Sequence, residues 1–418
     1  MISTSMITAT PWSKQRLASS LFLVLGMDMF MVSPLLPQIS AGFGVSIGEA
    51  SVVAWSFSLV YALLSPAVAL ITNRFTRRSA MWVGAAVFSV GVLGAALMPT
   101  LGLVVAGRVL AAVGASIMGP PVWSFATETA APHQVGKAVA GVASTFAAGQ
   151  IVGVPLGGLV ASFASWRWTF LAIAVLGAVL AALIGLRLGK EVRVPEKVGI
   201  REAFADSLNL WRRREFSFLL TANFFAQATR YATYTFAGAL LFTRFGLDTA
   251  QLGLVGAIVG AGSLLGATVG GRLVDWVRAR HGSQQLLNLS FAAVMTGFVI
   301  LATASGHLWF SLAGWAFTFA AGSAFVSNSQ EMLTNSAGKN RAYALSWNNS
   351  ALYAGTALGT FALGLVPLGT TPFVLMSCGF GALTVSASAL LWRLTTGPRA
   401  PDPLLSAPRP LSNDSLGT

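Results

Sequence analysis

Long runs of uncharged residues constrain the fold of this 418-residue chain more than any other feature. Six runs contain no Asp, Glu, Lys or Arg: 50–73, 79–107, 138–166, 249–271, 282–330 and 342–392. A helix that spans a bilayer needs about 20 apolar residues, so each of the last two runs is long enough for two spans. Only 9% of the residues are charged, compared with about 25% in a typical soluble domain. The chain is therefore predicted to be a polytopic membrane protein, and neither a soluble nor a disordered one.

The length of the runs predicts that every span is helical. Strands of a membrane barrel are about ten residues long and alternate strictly, whereas these runs are longer and do not alternate. We predict an all-α protein with twelve spans at 17–40, 49–71, 80–98, 101–126, 138–163, 168–188, 216–242, 249–273, 285–304, 308–330, 342–366 and 370–392. The remaining parts are a cytoplasmic N-terminus (1–16), a cytoplasmic linker (189–215) and a disordered cytoplasmic tail (394–418). They separate an N-terminal bundle at 17–188 from a C-terminal bundle at 216–393.

The distribution of Lys and Arg predicts the orientation of the spans. The formal net charge is +13, which by itself is also typical of nucleic-acid-binding proteins. Most of the basic residues, however, fall in the segments that lie inside if the N-terminus is inside, with Arg108, Arg167, Arg230 and Arg244 among the exceptions. This is the positive-inside pattern of a chain with both ends in the cytoplasm, so no nucleic-acid partner is expected.

A loop pattern repeats at an offset of 202 residues. Asn73 to Arg78, after the second predicted span, contains one polar side chain and a basic turn, and Asp275 to Arg280 after the eighth span does the same. Six plus six helices joined by a cytoplasmic linker indicate two parallel repeats packed about a central cavity.

Over about 17–393 the sequence resembles the major facilitator superfamily. Ala69 to Arg78 and Gly271 to Arg280 are similar to the family's Gly-x-x-x-Asp-Arg-x-Gly-Arg-Arg loop, although Asn73 stands in the first copy where the family has Asp. Arg108 to Gly114 is similar to the Arg-centred motif of span four, and Gly149 to Gly158 to the span-five motif of exporters. Ser165 to Phe170 is similar to a turn of drug:proton antiporters in the family. The resemblance covers the twelve-span drug:proton antiporters and the sugar-efflux-like branch.

This resemblance implies a major facilitator fold, export of a small molecule and a set of residues that control conformational exchange. The implied conformational residues are Asn73, Arg74, Arg77, Arg78, Gly149, Gly153, Pro155, Gly157, Gly158, Gly271, Asp275 and Arg280. The family's Asp at the position of Asn73 helps to latch the two halves, so the latch is expected to be weaker here. Gly149, Gly153 and Gly157 also form two small-x-x-x-small steps, which let helices approach closely.

Two charged residues are candidates for proton coupling. Asp28 is the one acid that we place deep in the membrane, where a charge costs about 2.5–3.5 kcal/mol on insertion scales. Burial disfavours the charged form of a carboxyl group, which makes Asp28 a candidate proton carrier; the alternative is a structural carboxylate satisfied by a neighbour. The resemblance assigns proton coupling to Arg108 as well, and the alternative there is a structural hydrogen bond to carbonyl groups of a neighbouring helix.

Span seven carries a polar stripe that predicts part of a substrate cavity. Its members lie on one face of a helix and are Asn223, Gln227, Arg230, Tyr231 and Tyr234. Polar side chains within a membrane helix face protein or water and not lipid, so the stripe either lines a cavity or holds helices together. Asn348 and Asn349 in span eleven form a second, weaker set.

The repeat also relates Asp28 to Arg230, because 28 plus 202 is 230. Spans one and seven are equivalent helices in the two halves, so both charges are predicted at matching depths beside the cavity. We hypothesise that Arg230 and Asp28 attract each other, directly or through water, when the cavity is empty. The competing hypothesis is that Arg230 binds an anionic group of the substrate alone.

The motifs of common enzymes are lacking. No Gly-x-x-x-x-Gly-Lys-Ser/Thr loop and no metal-binding spacing of the three His occurs. We therefore expect no enzyme, no metal and no cofactor, but a secondary active exporter of a drug or metabolite that is driven by a proton gradient. Its expected partners are the substrate, protons and the lipid of the inner (cytoplasmic) membrane, with the protein as a monomer. A proton-coupled importer and a non-transporting receptor or scaffold are the alternatives.

Overall fold

The computed structural model describes residues 12–72, 75–189 and 207–396, and within them twelve long helical segments. They are α1 (Trp12–Phe43), α2 (Val52–Thr72), α3 (Arg77–Leu97), α4 (Leu101–Thr129), α5 (Val135–Phe163), α6 (Trp166–Arg187), α7 (214–245), α8 (Thr249–Ala279), α9 (Gln284–Ala304), α10 (Leu308–Ala337), α11 (Arg341–Gly364) and α12 (Thr371–Thr396). Each predicted span overlaps one of these segments. The N-terminus, the linker and the tail lie largely outside the described residues, so the domain limits drawn through them stay predictions.

Ten of the helical segments in the described ranges are long and apolar enough to cross a membrane. The other two are α7 and α11, which the sequence also predicted as spans. α7 is interrupted by a π-helical turn at Ala228–Ala232 and by a break at Phe236. α11 contains Trp347, Asn348 and Asn349 in its first half. Both depart from the apolar pattern because they face the centre of the protein and not only lipid.

Two helical bundles account for most of the packing. In the first, α3 lies against α4 and α6, α2 against α4, and α1 against α5 and α6; in the second, α10 lies against α8 and α9, and α12 against α7 and α9. Glycines allow the closest crossings: a Cβ on Gly84 of α3 would meet the backbone of Met118, and a Cβ on Gly107 of α4 would meet the backbone of Ala95. Such small-residue contacts are the usual basis of helix association in membranes.

The two ends of the molecule differ in how the bundles meet. We call the end that carries the start of α1 and the end of α4 the terminal side; there Gln15 Nε2 donates to Thr129 Oγ1 at 3.0 Å within one bundle. At the opposite end the bundles bond to each other. Ser33 Oγ donates to the Tyr234 carbonyl at 2.6 Å, and Gln38 Nε2 donates to Thr249 Oγ1 at 2.9 Å. The space between the bundles therefore lies toward the terminal side.

Candidate functional site

A cavity of about 480 Å³ lies between the two bundles. Its wall from the first bundle is mainly apolar and aromatic, with Phe22, Met29, Tyr61, Trp123 and Phe146. Its wall from the second bundle is mainly polar and includes Gln227, Arg230, Ser263, Ser323, Gln330 and Asn349. The cavity is thus suited to an amphipathic molecule, with one apolar wall and one wall of hydrogen-bonding groups.

The π-helical turn of α7 sets the position of the residues that face this cavity. A π-turn inserts one extra residue into a helix and rotates everything beyond it, and such turns are frequent at functional sites. Gln227 and Tyr231 lie at and within the turn, and both line the cavity together with Arg230. The backbone irregularity therefore lies where the site is, and lipid does not contact the freed backbone groups.

Arg230 is the one charged residue among the described residues that line the cavity. Its side chain is 3% exposed. Nη2 donates to Ser323 Oγ at 2.9 Å, while Nε has no hydrogen-bond partner. The guanidinium lies over the rings of Tyr231 and Phe319, at 5.1 and 4.9 Å from their centroids. Cation–π contacts of this kind hold the charge in place, but no acidic residue in the described ranges pairs with it.

Asp28 and Arg108 form an ion pair deep in the first bundle. Arg108 Nη1 lies 2.6 Å from Asp28 Oδ1, and both side chains are almost fully buried. Arg108 Nε donates to the carbonyl of Val53 at 3.1 Å, and its guanidinium lies over Phe57 and Phe170. Both sequence candidates for proton coupling are thus in direct contact, and the Arg108 bond to a carbonyl of a neighbouring helix, expected as the structural alternative, is present as well.

One carboxylate oxygen of this pair remains without a partner. Asp28 Oδ2 is buried and accepts no hydrogen bond. A second cavity, of about 20 Å³, adjoins Arg108 and also touches Tyr231, which lines the large cavity. A volume of that size is enough for one water molecule. The pair therefore has one carboxylate oxygen without a partner, and its Arg108 borders a water-sized space that shares Met29 and Tyr231 with the wall of the main cavity.

The structure does not join Asp28 to Arg230. Asp28 is paired with Arg108 and Arg230 bonds to Ser323, and no ion pair links the two residues. Spans one and seven are the first helices of their bundles, as predicted, but the cation that pairs with Asp28 comes from α4 and not from α7. The prediction of a direct pair between Asp28 and Arg230 is therefore wrong.

Three members of the predicted cavity set lie elsewhere. Asn223 Nδ2 donates to Asn348 Oδ1 at 2.7 Å, and both residues are fully buried between α7 and α11. Tyr234 packs among aromatic rings beyond the cavity, including Phe30 and Trp315. The π-turn between Asn223 and Tyr234 changes the helical register, so residues predicted on one face do not share it. Gln227, Arg230, Tyr231 and Asn349 do line the cavity.

The glycines of α5 let that helix pack closely against α1 in its own bundle and against α8 in the second bundle. A Cβ on Gly149 would overlap the Leu23 carbonyl of α1, and a Cβ on Gly153 would overlap the side chain of Met27. Gly157 lies against Met31, whereas a Cβ on Gly158 would come within 2.9 Å of Gly253 Cα in α8. Gly149–Gly153 forms a second π-helical turn, which ends two residues before Pro155. The motif singled out in the sequence therefore lies where α5 contacts α1 and the other bundle.

The repeated loop motifs hold two ion pairs on the terminal side. Arg77 of α3 lies 3.0 Å from Glu128 of α4, and Arg278 of α8 pairs with Glu331 of α10. Neither acid was a sequence candidate, although each occupies the corresponding helix end of its half. Asn73 and Arg74 lie outside the described residues.

The other loop residues make individual contacts. Arg78 Nη2 donates to the Gly185 carbonyl of α6, and Arg280 stacks on Trp276 at 4.0 Å. Asp275 lies 3.6 Å from Arg278 and is exposed. A Cβ on Gly271 would meet nothing within 4 Å, so that glycine is not a packing site. Within the described ranges no group of three or more His, Cys, Asp or Glu could hold a metal.

Two helical bundles that enclose a cavity between equivalent helices define the class of polytopic membrane transporters. The family model described as Major Facilitator Superfamily matches residues 18–306 and 219–416. The chain therefore belongs to the major facilitator superfamily, whose members are transporters of small molecules and not enzymes.

Individual relatives agree with this assignment. The chain is 27% identical over 390 residues to YceJ of Bacillus subtilis (strain 168), which is named an uncharacterized MFS-type transporter. The aligned region covers 90% of this chain and 94% of that protein. It is 28% identical over 351 residues to the chloramphenicol resistance protein of Streptomyces lividans, and the aligned region covers 80% of this chain and 84% of that protein. Among solved structures, the inward open xylose transporter XylE from E. coli superposes with a TM-score of 0.69 at 16% identity. The superposition covers 91% of this chain and 95% of that chain.

Proposed function

We propose that the protein exports a small organic molecule from the cell by proton antiport with alternating access. The observation that carries the proposal is the buried Asp28–Arg108 pair, because it combines a free carboxylate oxygen with a water-sized space next to the substrate cavity. A charge this deep in a membrane protein marks a proton or ion pathway. The energy source is the proton gradient, and no cofactor takes part.

The proton carrier in this mechanism is Asp28. A proton binds to Oδ2 without requiring that Oδ1 leave Arg108, and its charge weakens the ion pair. The attraction between α1 and α4 within the first bundle then depends on the protonation state, and α1 also carries Ser33 and Gln38, whose side chains bond to the second bundle. The substrate occupies the large cavity when the bundles are closed at the opposite end, as they are here through Ser33 and Gln38.

The direction of transport rests on two observations. The named function of one relative is chloramphenicol resistance, which is consistent with removal of a compound from the cell. The glycine motif of α5, similar to that of exporters, lies at the contact with α1 and α8. We place the protein in the cytoplasmic membrane as a monomer with both ends cytoplasmic, because the Lys and Arg residues concentrate on the terminal side.

The test uses inverted membrane vesicles, in which the cytoplasmic face points outward. A pump-deficient strain that expresses the chain is first screened for growth in the presence of chloramphenicol and a panel of other inhibitors. Compounds with reduced toxicity are then offered to the vesicles with an imposed proton gradient. Accumulation that requires an acidic lumen, together with loss of protons from the lumen, supports antiport.

Other outcomes contradict the proposal in distinguishable ways. Transport that ignores the gradient excludes proton coupling. Efflux from preloaded vesicles that requires an acidic lumen indicates a proton-coupled importer. Binding without any transport indicates a receptor.

A further inference from the structure

We infer that the substrate is an organic anion, bound through its carboxylate or another acidic group to Arg230. The inference rests on the proposed transport function and specifies the substrate class of its cavity. It derives from a mismatch: the cavity wall holds one buried cation, and none of the described residues supplies the matching negative charge.

An unpaired buried guanidinium is costly, so its presence calls for an explanation. Buried charges in proteins are generally paired, because removing an ion from water costs several kcal/mol. Arg230 has one hydrogen bond to Ser323 and two aromatic rings beside it, which satisfy only part of its five N–H donors. A planar guanidinium with free donors matches the geometry of a carboxylate.

The local structure is built to keep Arg230 in this place. The aliphatic part of its side chain lies on Gly322 of α10, where a Cβ would overlap Arg230 Cδ. Phe319 and Ser323, on the same helix, contact the guanidinium itself. One face of α10 thus provides the space, the ring and the hydrogen bond that position this cation.

The rest of the cavity fits the remainder of such a molecule. Gln227 and Ser263 of the second bundle line it, and each has a buried oxygen without a hydrogen-bond partner. Opposite them lie the rings of Phe22 and Trp123. The matching ligand has an acidic group at Arg230, further polar groups along the second bundle and an apolar or aromatic body against the first bundle.

Asp28 does not oppose an anion in this cavity. Its charge is compensated by Arg108 at 2.6 Å, and it is not among the residues that line the cavity. The net charge that an incoming molecule meets is therefore that of Arg230. A cationic molecule is disfavoured by the same argument.

Binding to the purified full-length protein in detergent tests the inference without any need for transport. The probes are one- and two-ring aromatic acids, such as naphthalene-2-carboxylate, each compared with its own neutral amide and with the corresponding arylmethylammonium ion. Calorimetry or thermal stabilisation measures the affinity. We expect the acids to bind at least about tenfold more tightly than the amides, since a hydrogen bond to a charged group is worth about 1.5–3 kcal/mol.

Variants of the protein test whether the preference for acids over amides depends on Arg230. Arg230→Gln should abolish the difference between acid and amide, and Arg230→Lys should retain part of it. Arg272→Gln, which removes an exposed cation of α8, should leave the difference unchanged. No preference for acids anywhere in the panel overturns the inference, as does a preference that survives Arg230→Gln. Because these are binding measurements, a failure of proton-driven export in vesicles would leave them intact, so the two proposals fail separately.

Discussion

Arg108 and Arg230 are both buried arginines at the centre of a membrane protein, one in each bundle, and both lie over aromatic rings. They differ in their partners. Arg108 has a carboxylate at 2.6 Å and a backbone carbonyl at 3.1 Å. Arg230 has one serine hydroxyl and a cavity in front of it. The charge of Arg108 is thus compensated within the protein, whereas that of Arg230 is not and faces a cavity that a ligand can enter.

This difference separates the two tasks of a coupled transporter. In the mechanism that we propose, the first bundle holds a protonatable pair that the substrate does not touch, and the second bundle holds a charged group that the substrate does touch. The small cavity between Arg108 and Tyr231 is the place where the two regions approach each other.

The largest effect is expected from Asp28→Asn. The amide oxygen of Asn can still accept a hydrogen bond from Arg108, but the side chain cannot carry a proton. Gradient-driven transport should fall to the level of vesicles that lack the protein, while exchange of substrate without a gradient continues. Asp248→Asn is the matched control, because Asp248 caps α8 and Asn is an equally good cap. Full gradient-driven transport by Asp28→Asn would remove Asp28 from the mechanism.

The energetic link between Asp28 and Arg108 should appear in a double-mutant cycle. Arg108→Gln leaves a buried carboxylate without its cation and should lower the free energy of unfolding by about 3–5 kcal/mol. Adding Asp28→Asn should recover part of that loss, with a coupling energy of about 1–3 kcal/mol. Unfolding in a denaturing detergent measures both values. Strictly additive effects would mean that the short contact contributes no coupling.

The packing of α5 against α1 helps to position the Asp28–Arg108 ion pair. Gly153→Leu forces a branched side chain into Met27, the residue before Asp28, and overpacking of this kind costs about 1–3 kcal/mol. We expect reduced transport and a lower melting temperature. Gly141→Leu on the same helix serves as the control, because a Cβ there meets nothing within 4 Å. Equal behaviour of the two variants would show that α1 and α5 are not tightly packed at Gly153.

The smallest effect concerns the unpaired site. Ser323→Ala removes the one hydrogen bond to the Arg230 guanidinium, worth about 0.5–1.5 kcal/mol. Affinity for aromatic acids should change by about two- to tenfold, and the affinity for their amides should stay the same. Ser290→Ala on α9, where the hydroxyl bonds only to its own helix, is the control. An equal change for acids and amides would mean that Ser323 does not act through the charge.

The sequence predicted the helices well because membrane insertion depends on local composition. Charge-free runs mark most of the spans, and Asp28, Arg108 and Arg230 stood out because charges within predicted spans are rare. The partners of these charges were not predictable in the same way. Asp28 and Arg108 are 80 residues apart, and their contact depends on how α1 packs against α4.

The polar stripe of α7 shows a second limit of the sequence. A period of 3.6 residues predicts one face of a regular helix, but the π-turn at Ala228–Ala232 has no clear sequence signal. Only Gln227, Arg230 and Tyr231, in or next to the turn, reach the cavity, while Asn223 bonds to Asn348. The acids Glu128 and Glu331 were missed because they lie at helix ends, where charges are common and carry little information.

The unpaired charge of Arg230 has an electrical consequence. If an anion leaves the cell in exchange for one entering proton, two positive charges move inward in each cycle. A membrane potential of 100 mV, negative inside, then contributes about 4.6 kcal/mol, since each charge contributes about 2.3 kcal/mol. Import of the same anion together with a proton would move no net charge. A potassium diffusion potential imposed on vesicles at equal pH should therefore drive the exporter and leave such an importer unaffected.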